Sequence, residues 1–307
     1  MVEFYRSEPL DYGKVFENIV KGTSEYLTKC NLKAMVLGIS GGIDSTVTAA
    51  ICKEVSKITK IPFFGVSLPC STNGDDEISS ATLCGKEFCD FFKEVNLQKP
   101  FEVMDEFCDN TINVFPSTPI SRGNIKARLR MITLYDIASR MSGLVIDTDN
   151  LTENYLGFYT LHGDCCDFNP IGGLWKHEVY GLAKWLKDNV YKDSKALEAA
   201  IAIIPTDGNG VKAGGDLEQI APGKTYDDVD EILHAWVGIN DSRFKETIIK
   251  ENFDFGVFRD LCEKHGKDTV EKVIMRSVRS EFKRKHLPLV VDIYKGIVTD
   301  KEGKLIE

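Results

Sequence analysis

The chain has 307 residues, a formal net charge of −9 and nine cysteines, with 43% hydrophobic and 28% charged residues. This composition is ordinary for a soluble globular protein of one large domain or two small ones, and its acidity argues against general nucleic-acid binding. No apolar run is long enough to cross a membrane and the N-terminus lacks a signal-peptide layout, so we expect a cytoplasmic protein with no membrane partner. Since no CxxC pair occurs, we expect reduced thiols and no zinc site.

In chain order, the apolar pattern alternates between the periods typical of helices and strands. Helices are predicted at 11–30, 44–55, 75–93, 102–115 and 122–142, and strands at 34–39, 62–68, 94–97 and 143–147. This alternation predicts a doubly wound α/β fold, with a parallel sheet and helices on both faces, over residues 11–190. The glycine-rich segment 206–224 is predicted to be a mobile loop, and residues 226–288 a helical C-terminal part, within a single domain of residues 1–307.

A glycine-rich loop joins the first predicted strand to the following helix. Residues 38–45 read Gly-Ile-Ser-Gly-Gly-Ile-Asp-Ser. Glycines let backbone N–H groups approach a phosphate, the helix N-terminus adds a favourable dipole, and Asp44 could hold the metal that accompanies a nucleotide. The GxxxxGK[ST] loop of kinases and GTPases is absent from the sequence. The segment instead resembles the pyrophosphate loop of the ATP pyrophosphatases, which cleave ATP to AMP and pyrophosphate.

A second set of polar residues follows the predicted strand 143–147. Glu153 could join Asp44 on Mg²⁺, and Lys176 could neutralise phosphate oxygens. Asp164 and Asp167 could accept hydrogen bonds from ribose hydroxyls or from an amide. Taken singly, each of these residues is more often a surface charge or a helix cap, so their meaning depends on the wider pattern.

That wider pattern consists of six blocks in a fixed order. They are Ser-Gly-Gly-x-Asp-Ser from Ser40, Arg122 to Arg128, Thr148 to Glu153, Gly163-Asp164, Asn169 to Lys176, and Pro205-Thr206. In order and spacing they resemble the NAD synthetase family from about residue 10 to 288. The resemblance implies an adenine nucleotide alpha hydrolase-like fold and a ligase reaction. In that reaction the carboxylate of deamido-NAD attacks ATP, pyrophosphate leaves, and ammonia displaces AMP from the adenylated intermediate to give NAD.

The resemblance also implies roles for individual residues. ATP would be bound by Gly38, Ile39, Ser40, Gly41, Gly42, Ile43, Asp44, Ser45, Thr148, Lys176 and Thr206. Deamido-NAD would be bound by Arg128, Asp164, Asp167 and Lys283, while Asp44 and Glu153 would hold Mg²⁺ and act with Lys176 in catalysis. The chain departs from the family pattern at Asp147, where the family usually has Gly, at Leu161, where it often has Lys, and at Phe282, where it often has His.

Two further expectations concern the nitrogen donor and the assembly. Glutamine-using members of the family carry an additional glutaminase domain, and this chain begins its synthetase region within its first residues, so we expect free ammonia as the donor. The family builds its deamido-NAD site at a two-fold interface. The predicted helix 122–142 also carries more apolar side chains than one covered face requires, so we expect a homodimer.

Two rival functions fit parts of the pattern. One is another pyrophosphate-loop enzyme, such as a GMP-synthetase-like amidase or a tRNA-modifying enzyme. A thiolating enzyme would need a cysteine pair and a basic RNA-binding surface, and the cysteine spacing and net charge argue against both. The other is a nucleotide-binding regulator that has lost catalysis, which the retention of Asp44, Glu153 and Lys176 argues against.

Overall fold

In the computed structural model, the described residues are 9–111, 114–203, 215–238, 258–284, 290–292 and 297–299. The chain divides into two compact units. The larger unit comprises Pro9–Leu151 and Tyr159–Asp216, and the smaller one comprises Met1–Glu8, Thr152–Phe158 and Leu217–Glu307. The assignment of residues 1–307 to a single domain stays a prediction.

The helices and strands follow one another largely as the apolar pattern predicts. In chain order they are α1 (Tyr12–Lys29), β1 (Met35–Gly38), α2 (Ile43–Thr59), β2 (Phe63–Ser67), α3 (Asp75–Phe88), β3 (Phe91–Glu94), α4 (Gln98–Thr111), α5 (Pro119–Arg140), β4 (Leu144–Ile146), α6 (Leu151–Leu156), α7 (Lys176–Asn189), α8 (Lys195–Ala202), α9 (Gly215–Ile220), α10 (Tyr226–Gly238), α11 (Arg259–His265), α12 (Lys267–Arg279), α13 (Glu281–Arg284), β5 (Val290–Asp292) and β6 (Ile297–Thr299).

The larger unit is built on a sheet of four parallel strands in the order β3-β2-β1-β4. Met35 of the central strand β1 lies opposite Phe63 on one side and Leu144 on the other. Successive side chains of a strand point to opposite faces. Accordingly, Met35 belongs to one hydrophobic cluster and Val36 to another. Both faces of the sheet are therefore covered, which confirms the predicted α/β fold.

The two clusters show which helices cover each face. Residues of α1, α2, α3, α7 and α8 pack with Met35, and residues of α4 and α5 pack with Val36. The carboxyl ends of β1, β2 and β4 meet at one edge of the sheet because the strands are parallel. The loops that follow these strands carry most of the predicted site residues.

The predicted boundaries near β3 are wrong. The helix predicted at 75–93 ends at Phe88, and the strand lies at Phe91–Glu94 instead of 94–97. Asp90 explains the early turn, because its carboxylate accepts hydrogen bonds from the amide of Phe63 at 2.9 Å and from the hydroxyl of Ser56 at 2.5 Å. Phe91 then stacks on Phe64 of β2, with ring centroids 4.6 Å apart. Cross-strand contacts therefore override the helical apolar period.

Other elements also differ from the predictions. The helix predicted at 102–115 runs from Gln98 to Thr111, and the one predicted at 122–142 begins at Pro119, after the N-cap Thr118. Part of the predicted loop 206–224 is wrong, since Gly215–Ile220 is helical, while residues 206–214, including Thr206, lie outside the described residues. Helices α7 and α8 and the antiparallel pair β5-β6 have no counterpart in the sequence-based assignment.

The C-terminal part agrees with the prediction where it is described. Residues 226–238 and most of 258–284 are helical, as expected for the segment 226–288. Among the described residues, no helix has the length and apolar character needed to span a membrane.

Candidate active site

The glycine loop lies between the end of β1 and the start of α2, as predicted. Gly41 has φ +81°, in the left-handed region that favours glycine. Its backbone is pressed against α3, and a Cβ added at Gly41 would lie 2.4 Å from the amide nitrogen of Ala81 and 2.8 Å from the carbonyl oxygen of Glu77. Only glycine fits at this position, and its lack of a side chain lets the loop lie close to α3.

Two hydroxyl groups and the N-terminus of α2 lie together at this loop. The hydroxyls of Ser40 and Ser45 lie 2.9 Å apart, and the amide of Gly42 donates to Ser40 Oγ at 3.2 Å. Gly42 is the N-cap of α2 and provides no side-chain cap for the first amides of the helix. Uncapped amides and the positive end of the helix dipole together form an anion-binding site.

Three polar residues from distant parts of the sequence meet beside the loop. Asp44, in the first turn of α2, accepts a hydrogen bond from Asn150 Nδ2 at 2.9 Å and forms an ion pair with Lys176 Nζ. Lys176 is the first residue of α7, and only 3% of its side chain is exposed. The structure therefore brings the predicted residues Asp44 and Lys176 together. It adds Asn150, whose sequence signal is its place just after β4.

A buried carboxylate organises the turn after β4. Asp147 accepts hydrogen bonds from the amide of Asp149 at 2.7 Å and from the amide of Cys166 at 2.8 Å. Burial raises the pKa of Asp147, and the nearby Asp164 carboxylate raises it further. Asp147 therefore ties the segment that contains Thr148 to the segment that contains Asp164. A glycine at this position could not form the bridge, because it has no side chain.

The predicted dinucleotide-binding residues of the larger unit all have internal partners. Asp164 accepts a hydrogen bond from the amide of Thr160 at 2.5 Å. Asp167 accepts hydrogen bonds from the amide of Val145 at 2.9 Å and from the hydroxyl of Tyr135 at 3.0 Å. Arg128 Nη2 donates to the carbonyl oxygen of Leu161 at 3.3 Å. These contacts fix the segment around residues 160–167, and the binding roles of the three residues stay predictions.

Two predicted residues belong to the smaller unit. Glu153 lies in the first turn of α6, where an acidic side chain is favoured by the helix dipole. Lys283, in α13, donates from Nζ to the carbonyl oxygen of Gly157 at 2.7 Å. Arg276 and Arg284 donate to the carbonyl oxygens of Leu156 and Tyr155, each at 2.7 Å. The three cations thus satisfy carbonyl groups at the C-terminal end of α6.

The donor set of this region suits a magnesium ion. In the part of the chain that the structure describes, no group of three or more His, Cys, Asp or Glu side chains is arranged to hold a metal. Mg²⁺ is commonly held by one or two carboxylates together with water and phosphate oxygens. Asp44, partly exposed at the N-terminus of α2, offers a hard oxygen ligand of that kind. Its pairing with Glu153 on one ion stays a prediction.

Comparison with known proteins points to one family. The family model described as NAD synthase matches residues 15–286. An NH(3)-dependent NAD(+) synthetase of Wolinella succinogenes is 30% identical over 265 residues, which cover 86% of this chain and 90% of that protein. The enzyme of the same name from Fusobacterium nucleatum is 28% identical over 290 residues, covering 92% of this chain and 97% of that protein.

A solved structure gives the same picture. The NH3-dependent NAD synthetase from Campylobacter jejuni, determined in complex with the nitrate ion, superposes with a TM-score of 0.67 at 25% identity. The match covers 92% of this chain and 100% of that one. The similarity therefore extends over both the parallel sheet and most of the remaining chain.

The tight contact at Gly41 generates a testable prediction. Gly41→Ala is expected to weaken binding of Mg²⁺-ATP at least about tenfold and to destabilise the protein by about 1–2 kcal/mol, because its left-handed φ and its contact with α3 both exclude a Cβ. Gly22→Ala is the control, since Gly22 lies on the exposed face of α1 with nothing within 4 Å of an added Cβ. Calorimetric titration and thermal melting measure both effects. Equal ATP affinity in the two variants would contradict the prediction.

Proposed function

This chain belongs to the NAD synthase family, and we infer that it is an ammonia-dependent NAD synthetase whose ATP site is the loop from Gly38 to Ser45. The protein is a ligase of NAD biosynthesis that forms a carbon–nitrogen bond. The observation that carries the inference is the meeting of Asp44, Asn150 and Lys176 beside this loop. This grouping at the carboxyl edge of the sheet supports an adenylating site there.

The reaction has two steps. In the first, a carboxylate oxygen of deamido-NAD attacks the α-phosphorus of ATP, and the bond to the β-phosphate oxygen breaks to release pyrophosphate. In the second, ammonia attacks the adenylated carbonyl carbon, AMP leaves with the former carboxylate oxygen, and the nitrogen loses a proton. Adenylation is needed because a free carboxylate has no good leaving group.

The loop residues act on the phosphates during the first step. We propose that the backbone amides at the N-terminus of α2 and the hydroxyls of Ser40 and Ser45 bind the departing pyrophosphate. Lys176 releases Asp44 and pairs with phosphate oxygens when ATP binds, since its ammonium lies against Asp44 in the first turn of α2. Asn150 keeps Asp44 in place through its amide. Thr148 and Thr206 are proposed as further ATP contacts.

Magnesium is proposed as the metal, with Asp44 and Glu153 as its ligands. When bound, Mg²⁺ supplies positive charge that offsets the negative charge of the polyphosphate. Asp44 could serve because its carboxylate is a hard oxygen ligand and is partly exposed at the N-terminus of α2.

The second substrate is proposed to be held by Arg128, Asp164, Asp167 and Lys283, with free ammonia as the nitrogen donor. The two carboxylates lie on the segment that Asp147 ties to the end of β4. Their internal partners orient the segment, and a carboxylate oxygen can accept more than one hydrogen bond.

A homodimer is proposed because α4 and α5 expose apolar side chains. Ile132 of α5 is 56% exposed, Ile120 is 64% exposed, and Phe107 of α4 is 66% exposed. Leu134 of α5, by contrast, packs in the core. Exposed apolar side chains on two helices that pack together are typical of a surface that a second protein covers. A second copy of the chain satisfies this requirement with a closed two-fold symmetry. A cytoplasmic location stays a prediction from the composition.

The rival functions differ in their products. We expect ATP to be converted to AMP and pyrophosphate, with NAD formed only when deamido-NAD, ammonia and Mg²⁺ are all present, because the loop has no Walker lysine. Chromatography of the nucleotides measures all three products. ADP as the main product would refute the assignment. AMP release that requires XMP or tRNA in place of deamido-NAD would favour another pyrophosphate-loop enzyme, and binding of ATP without turnover would favour a regulator.

Loss of a carboxylate at the proposed metal site gives a second prediction. Asp44→Asn and Glu153→Gln are each expected to lower the adenylation rate by about 10²–10³, because one charge-stabilising group is removed. Asp44→Asn is also expected to cost about 1–3 kcal/mol of unfolding free energy, since the buried Lys176 loses its counter-charge. Rapid-quench measurement of pyrophosphate release and thermal melting test these effects. Asp76→Asn, an exposed acid in α3, is the control. Near-normal adenylation in either active-site variant would disprove the proposed ligand.

The dimer prediction has a matched pair of variants. Ile132→Glu is expected to shift the protein towards monomer mass in light scattering, because it places a charge in the proposed interface. Ile58→Glu changes the same residue type on α2, where Ile58 is 63% exposed, and is expected to leave the mass unchanged. A wild-type enzyme that is fully active at monomer mass would rule out the dimer.

A further inference from the structure

The inner side of the glycine loop rests on α3, and one side chain of that helix bonds to the loop backbone. Ser80 is buried, and its hydroxyl donates a hydrogen bond to the carbonyl oxygen of Gly41 at 2.7 Å. The backbone of α3 is also in close contact with Gly41, as the position of an added Cβ shows. The loop is therefore held against α3 by shape and by one directed hydrogen bond.

This hydrogen bond fixes the direction of a neighbouring amide. The carbonyl of Gly41 and the N–H of Gly42 belong to the same peptide plane and point in opposite directions when the peptide is trans. Because Ser80 holds the carbonyl towards α3, the N–H of Gly42 points away from that helix. It donates to Ser40 Oγ at 3.2 Å, on the exposed side of the loop. The Gly42 amide is thus aimed at the space where an anion binds over the N-terminus of α2.

The backbone torsion preferences of Gly41 and Gly42 do not by themselves prevent the peptide between them from turning over. Glycine tolerates positive and negative φ about equally, and this peptide has a glycine on each side. A reversed peptide would present the negative end of the carbonyl dipole to the phosphates and withdraw the N–H. In the observed orientation the hydroxyl of Ser80 donates to the Gly41 carbonyl, and turning the peptide over would break this hydrogen bond. The bond therefore stabilises the orientation that leaves the Gly42 N–H available to an anion.

We propose that Ser80 is a positioning residue for ATP, which orients the Gly41–Gly42 peptide so that the Gly42 amide binds the pyrophosphate portion of the nucleotide. The inference rests on the proposed function, since it takes the loop as the ATP site. Ser80 touches neither substrate in this scheme and acts through the loop backbone. Its removal should therefore change the affinity for phosphate groups and leave the dinucleotide side unaffected.

The test uses inorganic pyrophosphate with Mg²⁺ as the probe. Ser80→Ala is expected to weaken pyrophosphate binding about tenfold in calorimetric titration and to raise KM for ATP by a similar factor. The reason is that the Gly42 amide is no longer oriented to donate a hydrogen bond to the phosphates. KM for deamido-NAD is expected to be unchanged. Ser80→Cys keeps a weaker donor and is expected to fall between Ser80→Ala and the wild type. Ser79→Ala removes a hydroxyl from the exposed neighbouring position of α3 and is expected to match the wild type.

The outcomes separate positioning from general stability and from the proposed function. All measurements are made well below the melting temperature of each variant. Pyrophosphate affinity in Ser80→Ala within about twofold of the wild type would overturn the inference, whatever its melting temperature. An equal rise in KM for both substrates would also overturn it, because that result indicates general damage. A wild-type enzyme that makes ADP, or that does not bind pyrophosphate, would instead refute the assignment of the loop as an adenylating site.

Discussion

The burial of the Lys176 ammonium is the constraint on which the candidate site depends. A charge removed from water must be paired, and Asp44 is the counter-charge in this structure. The pair joins the first turn of α2 to the first residue of α7. The side-chain amide of Asn150 also donates to Asp44, which connects the segment after β4 to the same carboxylate. Three loops at one edge of the sheet are therefore held together by a single carboxylate. The same carboxylate is the proposed metal ligand, so in the proposed mechanism the binding of nucleotide and Mg²⁺ replaces its pairing with Lys176.

The glycine loop obeys a steric constraint as well as an electrostatic one. Gly41 is fixed by its left-handed φ and by the backbone of α3, while the hydroxyl of Ser80 sets the direction of the following peptide. Preorganised amides are effective at anion sites because they need little reorganisation when charge develops. Helix α3 thus contributes to the site without providing a residue that contacts the proposed substrate.

Within the smaller unit, the short helix α6 is held at both ends by side chains from later in the chain. The hydroxyl of Thr152 donates to Asp230 of α10 near the start of α6, and Arg276, Lys283 and Arg284 donate to carbonyl oxygens at its end. A six-residue helix is not stable alone, because helix nucleation is unfavourable and its end groups need partners. The C-terminal helices therefore hold the segment that carries Glu153.

The sequence by itself determined the class of fold, the glycine loop and the family. Buried parallel strands are continuous apolar runs, and the loop needs glycine and hydroxyl residues at fixed positions, so both are local patterns. The tertiary structure alone decided the end of α3 at Phe88, where Asp90 bonds to Phe63 and Ser56 from other elements. It alone decided that Asp147 ties two loops together and that Ser80 faces Gly41, 39 residues away in sequence. Such contacts join residues that are distant in sequence, and the apolar periodicity of one sequence gives no signal for them.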